Sequence, residues 1–587
     1  MRPTIDVLAG WNLGALVTAA ETARNNAAAL DASLNDCSRV VDAAHDWHGK
    51  TKDAAFRRTN EETDHGYEVR NILYRIADDS DDAAREFRHA REFVLTAKRL
   101  AEDQGYAIAP TGFVTHPDPE RTADAATIQS NLLGGLDEIE RIDTTFGASL
   151  REHQADLAAI RDGQHDVTLP DGTRADPDQV ITRLAAMPPD QRAAQLAGLS
   201  PDDIRQLVVA DPEQLGNMNG VPFVTRIAAN EISIRNSLVH EKQKSDPDQG
   251  RIKQLENMLA PIPDPSNATS RDQTVPAGAT APDYMIDRKF VMFSTEGNGR
   301  MIEMVGDVKP GVPGAGVYVP GTSTNLNGSD SNTTAAWNLA QQSRSPIFLY
   351  MEGDFPQNLA PDAAQSRWAE DMAPKLVDFG RELDREIGAH APGTPVSYIG
   401  HSYGGVIVGT AEQEGLRADR ILHASSAGTG IHEGPWQDPN PRVQRYSMTA
   451  PGDPIGIIQS TSQKSLGDDP DTAPGVTRLD TGYYGTDRDG HKAGEIIFGQ
   501  NGHGRYWDDP KSDAFHNIVD VITGGEATAY VEREIESNHV EVHLGDDNNW
   551  GRQIHDVLVA RRYGAGDPYG NPHVTNHPEL GPKIGVG

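Results

Sequence analysis

A single serine lies between glycines in the stretch VSYIGHSYGGVIVG, which runs from Val396 to Gly409. An apolar run rich in β-forming residues precedes Ser402, and small or branched residues follow it, so the pattern predicts a strand that enters a helix through a tight turn. A turn of strained backbone of this kind presents a serine hydroxyl for chemistry. Glycine is needed at Gly400 and Gly404 because a side chain there would crowd the strand or the helix. Ser402 is therefore the candidate nucleophile.

A serine hydroxyl reacts only when a base lies within hydrogen-bond reach and a third group orients that base. The stretch resembles the G-x-S-x-G turn of the α/β-hydrolases, and that resemblance implies an acid that follows a later strand and a histidine that follows the last one. Asp453 in YSMTAPGDPIG and His503 in NGHGRYWDD fit that order. Asp480, in VTRLDTGYY, is the competing acid, although a surface or hairpin position is expected for it. The competing bases are His491, in the predicted exposed turn DRDGHKAG, and His516, in the predicted helix AFHNIVDVI.

The reaction also needs two backbone N–H groups aimed at the oxygen on which negative charge develops. Tyr403 is expected to supply one of them, because it follows the nucleophile directly. The loop VPGTSTN, after the third predicted strand, is expected to supply the other from Thr322 or Gly321.

No metal or cofactor is predicted. The Asp-rich stretch GTDRDGHKAGE departs from a calcium loop, since Gly485 and Ile496 stand where the first carboxylate and the closing Glu belong. The stretch GVPGAG precedes a predicted strand instead of following one, which argues against a dinucleotide loop. The sequence has no H-E-x-x-H motif or paired-cysteine spacing for zinc.

The elements that must position these residues begin at Arg288, where short strands start to alternate with helices. This alternation predicts an α/β fold with a mostly parallel, doubly wound sheet. The predicted strands are KFVMFST, RMIEMVGDV, GVYVPGT, PIFLYME, PVSYIG, RILHASS, RYSMTA and VTRLDTGYY.

The N-terminal region has a different periodicity, and it predicts an all-α module of long helices. Apolar and small residues recur with alternating spacings of four and three from Leu16 to Ala44 and again from Val69 to Ala101. The break DWHGKT between these seams predicts two antiparallel helices. A third seam, from Ile128 to Phe146, predicts a further helix, and glycine within it permits close helix approach.

A second helical block follows, with helix starts predicted at MPPDQ and LSPDD and a long helix through VPFVTRIAANEISIRNSLVHEKQ. The stretch from Ala260 to Tyr284 is dense in Pro, Ser, Thr and Asn, which predicts a linker or a wrapping loop. The predicted boundaries are 1–160 for the first helical module, 161–259 for the second, 260–283 for the linker, 284–525 for the α/β domain and 526–587 for a turn-rich tail.

Composition limits the possible functions. The 587 residues carry a formal charge of -34, which repels nucleic acid and anionic membrane surfaces, so no nucleic-acid partner is expected. The lone Cys37 excludes an intramolecular disulfide, and free cysteines are usually buried, so we expect it to be a small buried residue. No apolar run reaches the length of a membrane span, and the N-terminus lacks the layout of a secretory signal.

Six ordered motifs between Tyr284 and Gly525 resemble an actinobacterial α/β-hydrolase family. The resemblance implies a serine hydrolase fold and a triad of Ser402, Asp453 and His503, while the substrates of that family are mostly undefined. The motifs are VPGTST, YMEGDFP, GHSYGG, SSAGTG, PGDPIG and HGRYWDD with VITGG.

The start GWNLGAL, the two helical seams and Trp47-His48-Gly49 between them resemble the WXG-type helical hairpins of type VII secretion. The resemblance implies export to the cell envelope or beyond without a signal peptide, and a WXG-type helical partner or secretion chaperone. Tyr74 and Asp78 fit the Tyr-x-x-x-Asp/Glu letters of the export signal, but they lie well inside the predicted second helix. A cytoplasmic location is the alternative.

The sequence thus predicts an esterase or lipase-like serine hydrolase that acts on an ester or lipid-like substrate. The alternative is a secretion-linked interaction protein whose hydrolase domain binds a partner or ligand without turnover.

Overall fold

The computed structural model describes residues 2–42, 50–161, 166–273, 284–358, 362–432, 434–461, 463–487, 491–532, 535–536, 573–574 and 580–586. The chain divides into two compact units. The helical unit comprises Met1–Asp248, Leu255–Asn267 and Asp272–Asp287. The sheet unit comprises Gln249–Gln254, Ala268–Arg271 and Arg288–Gly587.

The helical unit is built on three long helices, as the seams predict. After the short helix α1 (Ile5–Ala9) come α2 (Gly14–Asp42), α3 (Lys50–Glu102) and α4 (Thr122–Arg161). The predicted break at Trp47-His48-Gly49 lies outside the described residues. Arg24 on α2 pairs with Asp78 and Asp81 on α3, whereas Asp31, further along α2, pairs with Arg70, which is closer to the start of α3. A later residue of α2 thus pairs with an earlier residue of α3. The two helices are therefore antiparallel, as predicted.

Helix α4 packs closely against α3 at a glycine of the predicted third seam. A Cβ atom at Gly135 would lie 2.6 Å from Val94 Cγ2 and 2.9 Å from Phe93 Cδ1. The adjacent Gly134 faces open space. The prediction that glycine permits close approach is therefore confirmed at Gly135.

Six shorter helices follow in the part of the chain that the structure describes: α5 (Pro177–Ala185), α6 (Pro189–Leu196), α7 (Pro201–Ala210), α8 (Pro212–Gly216), α9 (Phe223–Gln243) and α10 (Gln249–Leu259). The starts predicted at MPPDQ and LSPDD are confirmed in α6 and α7. Helix α7 has a capping box, in which Ser200 accepts from the N–H of Asp203 and Asp203 accepts from the N–H of Ser200. Short two-residue strands pair beside these helices: β1 (Ala107–Ile108) with β2 (Val114–Thr115), β3 (Val167–Thr168) with β4 (Arg174–Ala175), and β5 (Ile262–Pro263) with β6 (Met285–Ile286).

The sheet unit contains an eight-stranded sheet, and each strand corresponds to one of the predicted stretches. The strands are β7 (Lys289–Ser294), β8 (Arg300–Val305), β9 (Ala315–Val319), β10 (Ile347–Met351), β11 (Val396–His401), β12 (Arg420–Ala424), β13 (Gln444–Met448) and β14 (Val476–Arg478). Their order is β14-β13-β12-β11-β9-β10-β8-β7. The pairs β7–β8 and β8–β10 are antiparallel, and the other pairs are parallel. The predicted mostly parallel sheet is therefore confirmed.

Helices separate the later strands, as the alternation predicts. They are α11 (Asp330–Ser343), α12 (Arg367–His390), α13 (Tyr403–Gln413), α14 (Ile455–Thr461), α15 (Gln463–Leu466) and α16 (Asp513–Thr523). All five residues of β9 and of β10 are buried, which is typical of strands that are covered on both faces.

The structure differs from the prediction at the lone cysteine. Cys37 is exposed, so its predicted burial is wrong. It lies in the predicted seam, but near the end of α2 that seam position faces solvent.

In the predicted tail, β15 (Glu526–Thr528) pairs antiparallel with β18 (Lys583–Gly585), and Val586 is fully buried. A further short pair joins β16 (Ile535–Glu536) to β17 (His573–Val574). Residues 274–283 of the predicted linker lie outside the described residues.

The two adjacent glycines of α4 give a matched pair of substitutions. Gly134→Ala is expected to stabilise the full chain by up to about 1 kcal/mol, because alanine favours a helix interior and nothing obstructs its methyl group. Gly135→Ala is expected to destabilise the chain by about 1–3 kcal/mol, because the methyl group must displace buried side chains. Urea unfolding followed by helical circular dichroism measures both, and equal effects would contradict the close packing of α3 and α4.

Candidate active site

Ser402 lies at the turn from β11 into α13, as its glycine-flanked position predicts. Its backbone has φ 55° and ψ -121°, a conformation that non-glycine residues rarely adopt. A Cβ atom at Gly404 would lie 2.1 Å from the carbonyl oxygen of Val319, and one at Gly400 would lie 2.4 Å from Cα of Gly405. Strand and helix therefore meet too closely for any side chain at these two positions, and the turn presents Ser402 in one arrangement.

The three predicted residues lie together. His503 Nε2 is 3.1 Å from Ser402 Oγ, and His503 Nδ1 is 3.0 and 3.1 Å from the two carboxylate oxygens of Asp453. A carboxylate only accepts hydrogen bonds, so Nδ1 carries the proton and donates it to Asp453. The lone pair on Nε2 then faces the Ser402 hydroxyl, which is the tautomer that a base needs.

Backbone contacts hold the loops that carry the acid and the base. Asp453 follows β13, and its Oδ1 also accepts a hydrogen bond of 2.9 Å from the N–H of Ile455. His503 ends the 3-10 helix Gln500–His503. The N–H of Gly499 donates to the carbonyl of Pro451 at 2.9 Å, which ties the loop of the base directly to the loop of the acid.

The pKa of His503 is raised above its ordinary value of 6.5. Burial alone would lower it, but the charge of Asp453 and the hydrogen bond to that carboxylate outweigh burial. The protonated imidazolium is therefore stabilised relative to a free histidine, and this is the state that forms when His503 accepts a proton.

The competing residues lie elsewhere in the sheet unit. Asp480 is buried rather than at the surface, and its carboxylate accepts from the N–H of Gly482 at 3.2 Å. His491 is also buried, against the expectation of an exposed turn, because its ring stacks on Tyr484 at 3.7 Å. His516 is exposed on α16. Within the described residues, none of the side-chain hydrogen bonds of Ser402, Asp453 and His503 involves Asp480, His491 or His516.

The predicted oxyanion loop lies directly over the nucleophile. A Cβ atom at Gly321 would be 2.6 Å from Ser402 Cβ and 3.1 Å from Ser402 Oγ, so the backbone of this loop passes Ser402 too closely for a side chain at that position. Tyr403 is the first residue of α13, so its N–H has no acceptor within the helix. Among the described residues, neither its N–H nor that of Thr322 has a recorded acceptor.

Gln357 clamps the oxyanion loop, and sequence reasoning did not identify it. Its Nε2 donates to the carbonyls of Thr324 at 2.8 Å and Phe355 at 3.0 Å. The N–H of Ser323, whose φ is 70°, donates to the carbonyl of Pro356 at 2.7 Å. The loops that follow β9 and β10 are thus joined. The only sequence signal was the position of Gln357 just after the motif YMEGDFP.

No group of three or more His, Cys, Asp or Glu residues within the described part of the chain is arranged to hold a metal ion. Nor is any described helix both long and apolar enough to cross a bilayer.

Residues 295–462 match the model of a family described as "Alpha/beta hydrolase". This match and the sheet order assign the α/β-hydrolase fold to the C-terminal region. No curated protein matches the chain significantly.

Similar solved structures include an arylesterase, with 12% identity over 42% of this chain and 88% of that chain and a TM-score of 0.23. Carboxyl esterase 2 from the fungus Tuber melanosporum has 15% identity over 33% and 76%, with a TM-score of 0.21. An esterase from Pyrobaculum calidifontis has 13% identity over 38% and 79%, with a TM-score of 0.24. At these TM-scores the likenesses carry no argument about activity.

The titration of His503 tests the geometry without any substrate. We expect its pKa to lie above 6.5 in the full chain and to fall below 6.5 in Asp453→Asn, because burial then acts without the opposing charge. Asp480→Asn should leave it unchanged. Nuclear magnetic resonance of labelled histidine rings measures the pKa, with the signal assigned by its loss in His503→Gln. A fall in Asp480→Asn and none in Asp453→Asn would identify Asp480 as the acid.

Proposed function

We propose that the chain is a serine hydrolase of the esterase or lipase-like class. The observation that carries the proposal is the continuous hydrogen-bond chain from Ser402 Oγ through His503 to Asp453, with the acceptor nitrogen of His503 facing the hydroxyl. Serine becomes a useful nucleophile in this arrangement, because the base removes its proton as attack proceeds.

In the acylation step, Ser402 Oγ attacks the carbonyl carbon of an ester while its proton passes to His503 Nε2. The carbonyl π electrons move to the oxygen and form a tetrahedral oxyanion. Asp453 stabilises the resulting imidazolium, consistent with the raised pKa of His503. When the oxyanion collapses, the bond to the alcohol breaks and His503 returns its proton to the departing oxygen. An acyl group then remains on Ser402.

Deacylation repeats these steps with water. His503 Nε2 accepts a proton from the water as its oxygen attacks the acyl carbon, and the proton then passes to Ser402 Oγ as the acid product leaves. The N–H groups of Tyr403 and of Thr322 or Gly321 are assigned to the oxyanion in both steps. The clamp from Gln357 supports that assignment, because preorganised donors do not need to reorient during the reaction.

The alternative function is a secretion-linked interaction protein with a hydrolase fold that does not turn over. The strained backbone of Ser402 favours catalysis over this alternative, since such strain tends to persist where it serves a mechanism. A protein that only binds a partner through this fold has no need of an aligned base and acid.

The proposal extends to export through a type VII-like route, with the helical unit as the segment that a WXG-type partner or secretion chaperone recognises. It is supported by the antiparallel helices α2 and α3, which flank residues 43–49 in the sequence. Tyr74 and Asp78 are less suitable as an exposed signal in the folded unit. Tyr74 is buried, and Asp78 is ion-paired with Arg24 and Arg235.

Fluorophosphonate labelling tests the nucleophile. The wild-type chain should be labelled on a single serine, and Ser402→Ala should abolish labelling while the thermal transition persists, because only the reactive oxygen is lost. Ser270→Ala removes an exposed hydroxyl and should label at the wild-type rate. Equal labelling of Ser402→Ala would refute the assignment, and a wild-type chain that is neither labelled nor active on p-nitrophenyl esters would favour the binding alternative.

A secretion assay tests the export proposal in a host that carries a type VII system. Trp47→Ala should reduce the fraction of the chain in the culture medium and leave kcat unchanged, since the substitution alters the W-x-G letters and no residue of the hydrolase site. Ser402→Ala is the matched control, because it should be inactive but exported. Retention of the wild-type chain in the cytoplasm, or full export of Trp47→Ala, would contradict the proposal.

A further inference from the structure

We propose that His401 is a positioning residue, which holds the main chain of His503 in register with the neighbouring Ser402. The inference rests on the proposed hydrolase function, because it concerns the alignment of the base with the nucleophile. The position of His401 directly before Ser402 does not require this role, and neither does the geometry of Ser402, His503 and Asp453.

A direct hydrogen bond carries the inference. Nε2 of His401 lies 2.8 Å from the main-chain carbonyl oxygen of His503. A carbonyl oxygen only accepts, so Nε2 of His401 must carry the proton and donate it. His401, which directly precedes Ser402, therefore donates a hydrogen bond to the main chain of His503, 102 positions further along the chain.

The carbonyl of His503 needs an external donor. It belongs to the last residue of the 3-10 helix Gln500–His503, and carbonyls at the end of a helix have no partner within that helix. The N–H of Gly504, in the same peptide group, donates back to the carbonyl of Asn501. His401 supplies that donor.

Aromatic packing fixes His401 so that it can act as a rigid support. Its ring lies 5.2 Å from the ring of His503 and 5.4 Å from that of Trp507. Trp507 in turn stacks on Tyr318 of β9 at 4.6 Å. Because β9 and β11 are adjacent in the sheet, the support for the base is anchored in the two strands that also position the oxyanion loop and Ser402.

His401 stays neutral in this role. Burial, followed by the nearby charge of His503, lowers the pKa of His401 to about 3, and the opposing effects of the hydrogen bond to His503 and of Asp453 are smaller. A cation here would oppose the positive charge that His503 acquires during the reaction. A neutral N–H donor holds the loop without that repulsion.

Misplacing the base by about 1 Å can cost a factor of about a hundred in rate. His401 is covalently joined to Ser402 and hydrogen-bonded to His503, so one residue constrains both ends of the proton-transfer distance. We therefore expect its loss to affect the chemical step and to leave substrate binding unchanged.

The test compares His401→Phe, which keeps a ring but removes the donor, with His401→Gln, whose amide can restore it. On a p-nitrophenyl ester, His401→Phe should lower kcat by roughly ten- to a hundredfold with KM unchanged. The acid limb of the kcat/KM profile of His401→Phe should also move to lower pH. A looser contact between His503 and Asp453 raises the pKa of His503 less, so His503 remains neutral to a lower pH. His401→Gln should recover most of kcat and the wild-type limb. The exposed His516→Phe, on α16, should match the wild type.

Three results with an active wild-type chain would overturn the inference while the proposed function stands. These are wild-type kcat in His401→Phe, equal impairment of His401→Gln and His401→Phe, or a change confined to KM. If the wild-type chain neither hydrolyses esters nor reacts with fluorophosphonate, the proposed function fails, and hydrogen exchange decides the inference. Faster exchange of residues 499–508 in His401→Phe, with normal exchange in His401→Gln, would support it, and equal exchange in all three chains would refute it.

Discussion

Ser402 has a backbone φ of 55°, a conformation that costs a non-glycine residue on the order of 1–3 kcal/mol and persists only where the surroundings enforce it. The enforcement comes from backbone atoms, since any side chain at Gly400 or Gly404 would overlap neighbouring main chain. The N–H of Ser402 also donates to the carbonyl of Ala424 at the end of β12. Ser402 is thus held by the sheet, and the other groups of the candidate site must be brought to it.

Those groups arrive on loops that are tied to one another through main-chain contacts. The N–H of Gly499 donates to the carbonyl of Pro451 and so joins the loop of His503 to that of Asp453. The N–H of Ser323 donates to the carbonyl of Pro356 and joins the loops that follow β9 and β10. His401 completes the set through the carbonyl of His503. The distances from Ser402 to His503 and from His503 to Asp453 therefore depend on the backbone positions of several loops. A substitution that shifts one of these loops can change them.

The sequence predicted most of the scaffold because the relevant signals are local. Alternating short apolar runs identified all eight strands of the main sheet. Chain order pointed to Asp453 and His503, and the structure brings these two residues together with Ser402. Contacts between distant segments left no such signal. The bond from His401 to His503, the clamp by Gln357 and the return of β18 to β15 each depend on tertiary placement, which periodicity does not encode. The wrong expectations for Cys37 and His491 have the same origin, since residue type and local turn pattern do not determine which side chains meet.

The central claim is that an ester transfers its acyl group to Ser402 before water releases it. Acid quenching of the full chain during turnover of an activated ester, followed by mass spectrometry of its peptides, tests this most directly. The account predicts that the peptide with Ser402 gains the mass of the acyl group and loses it as turnover ends. Turnover with the acyl group on another residue, or with unmodified Ser402 under conditions where product forms in a rapid burst, would contradict it.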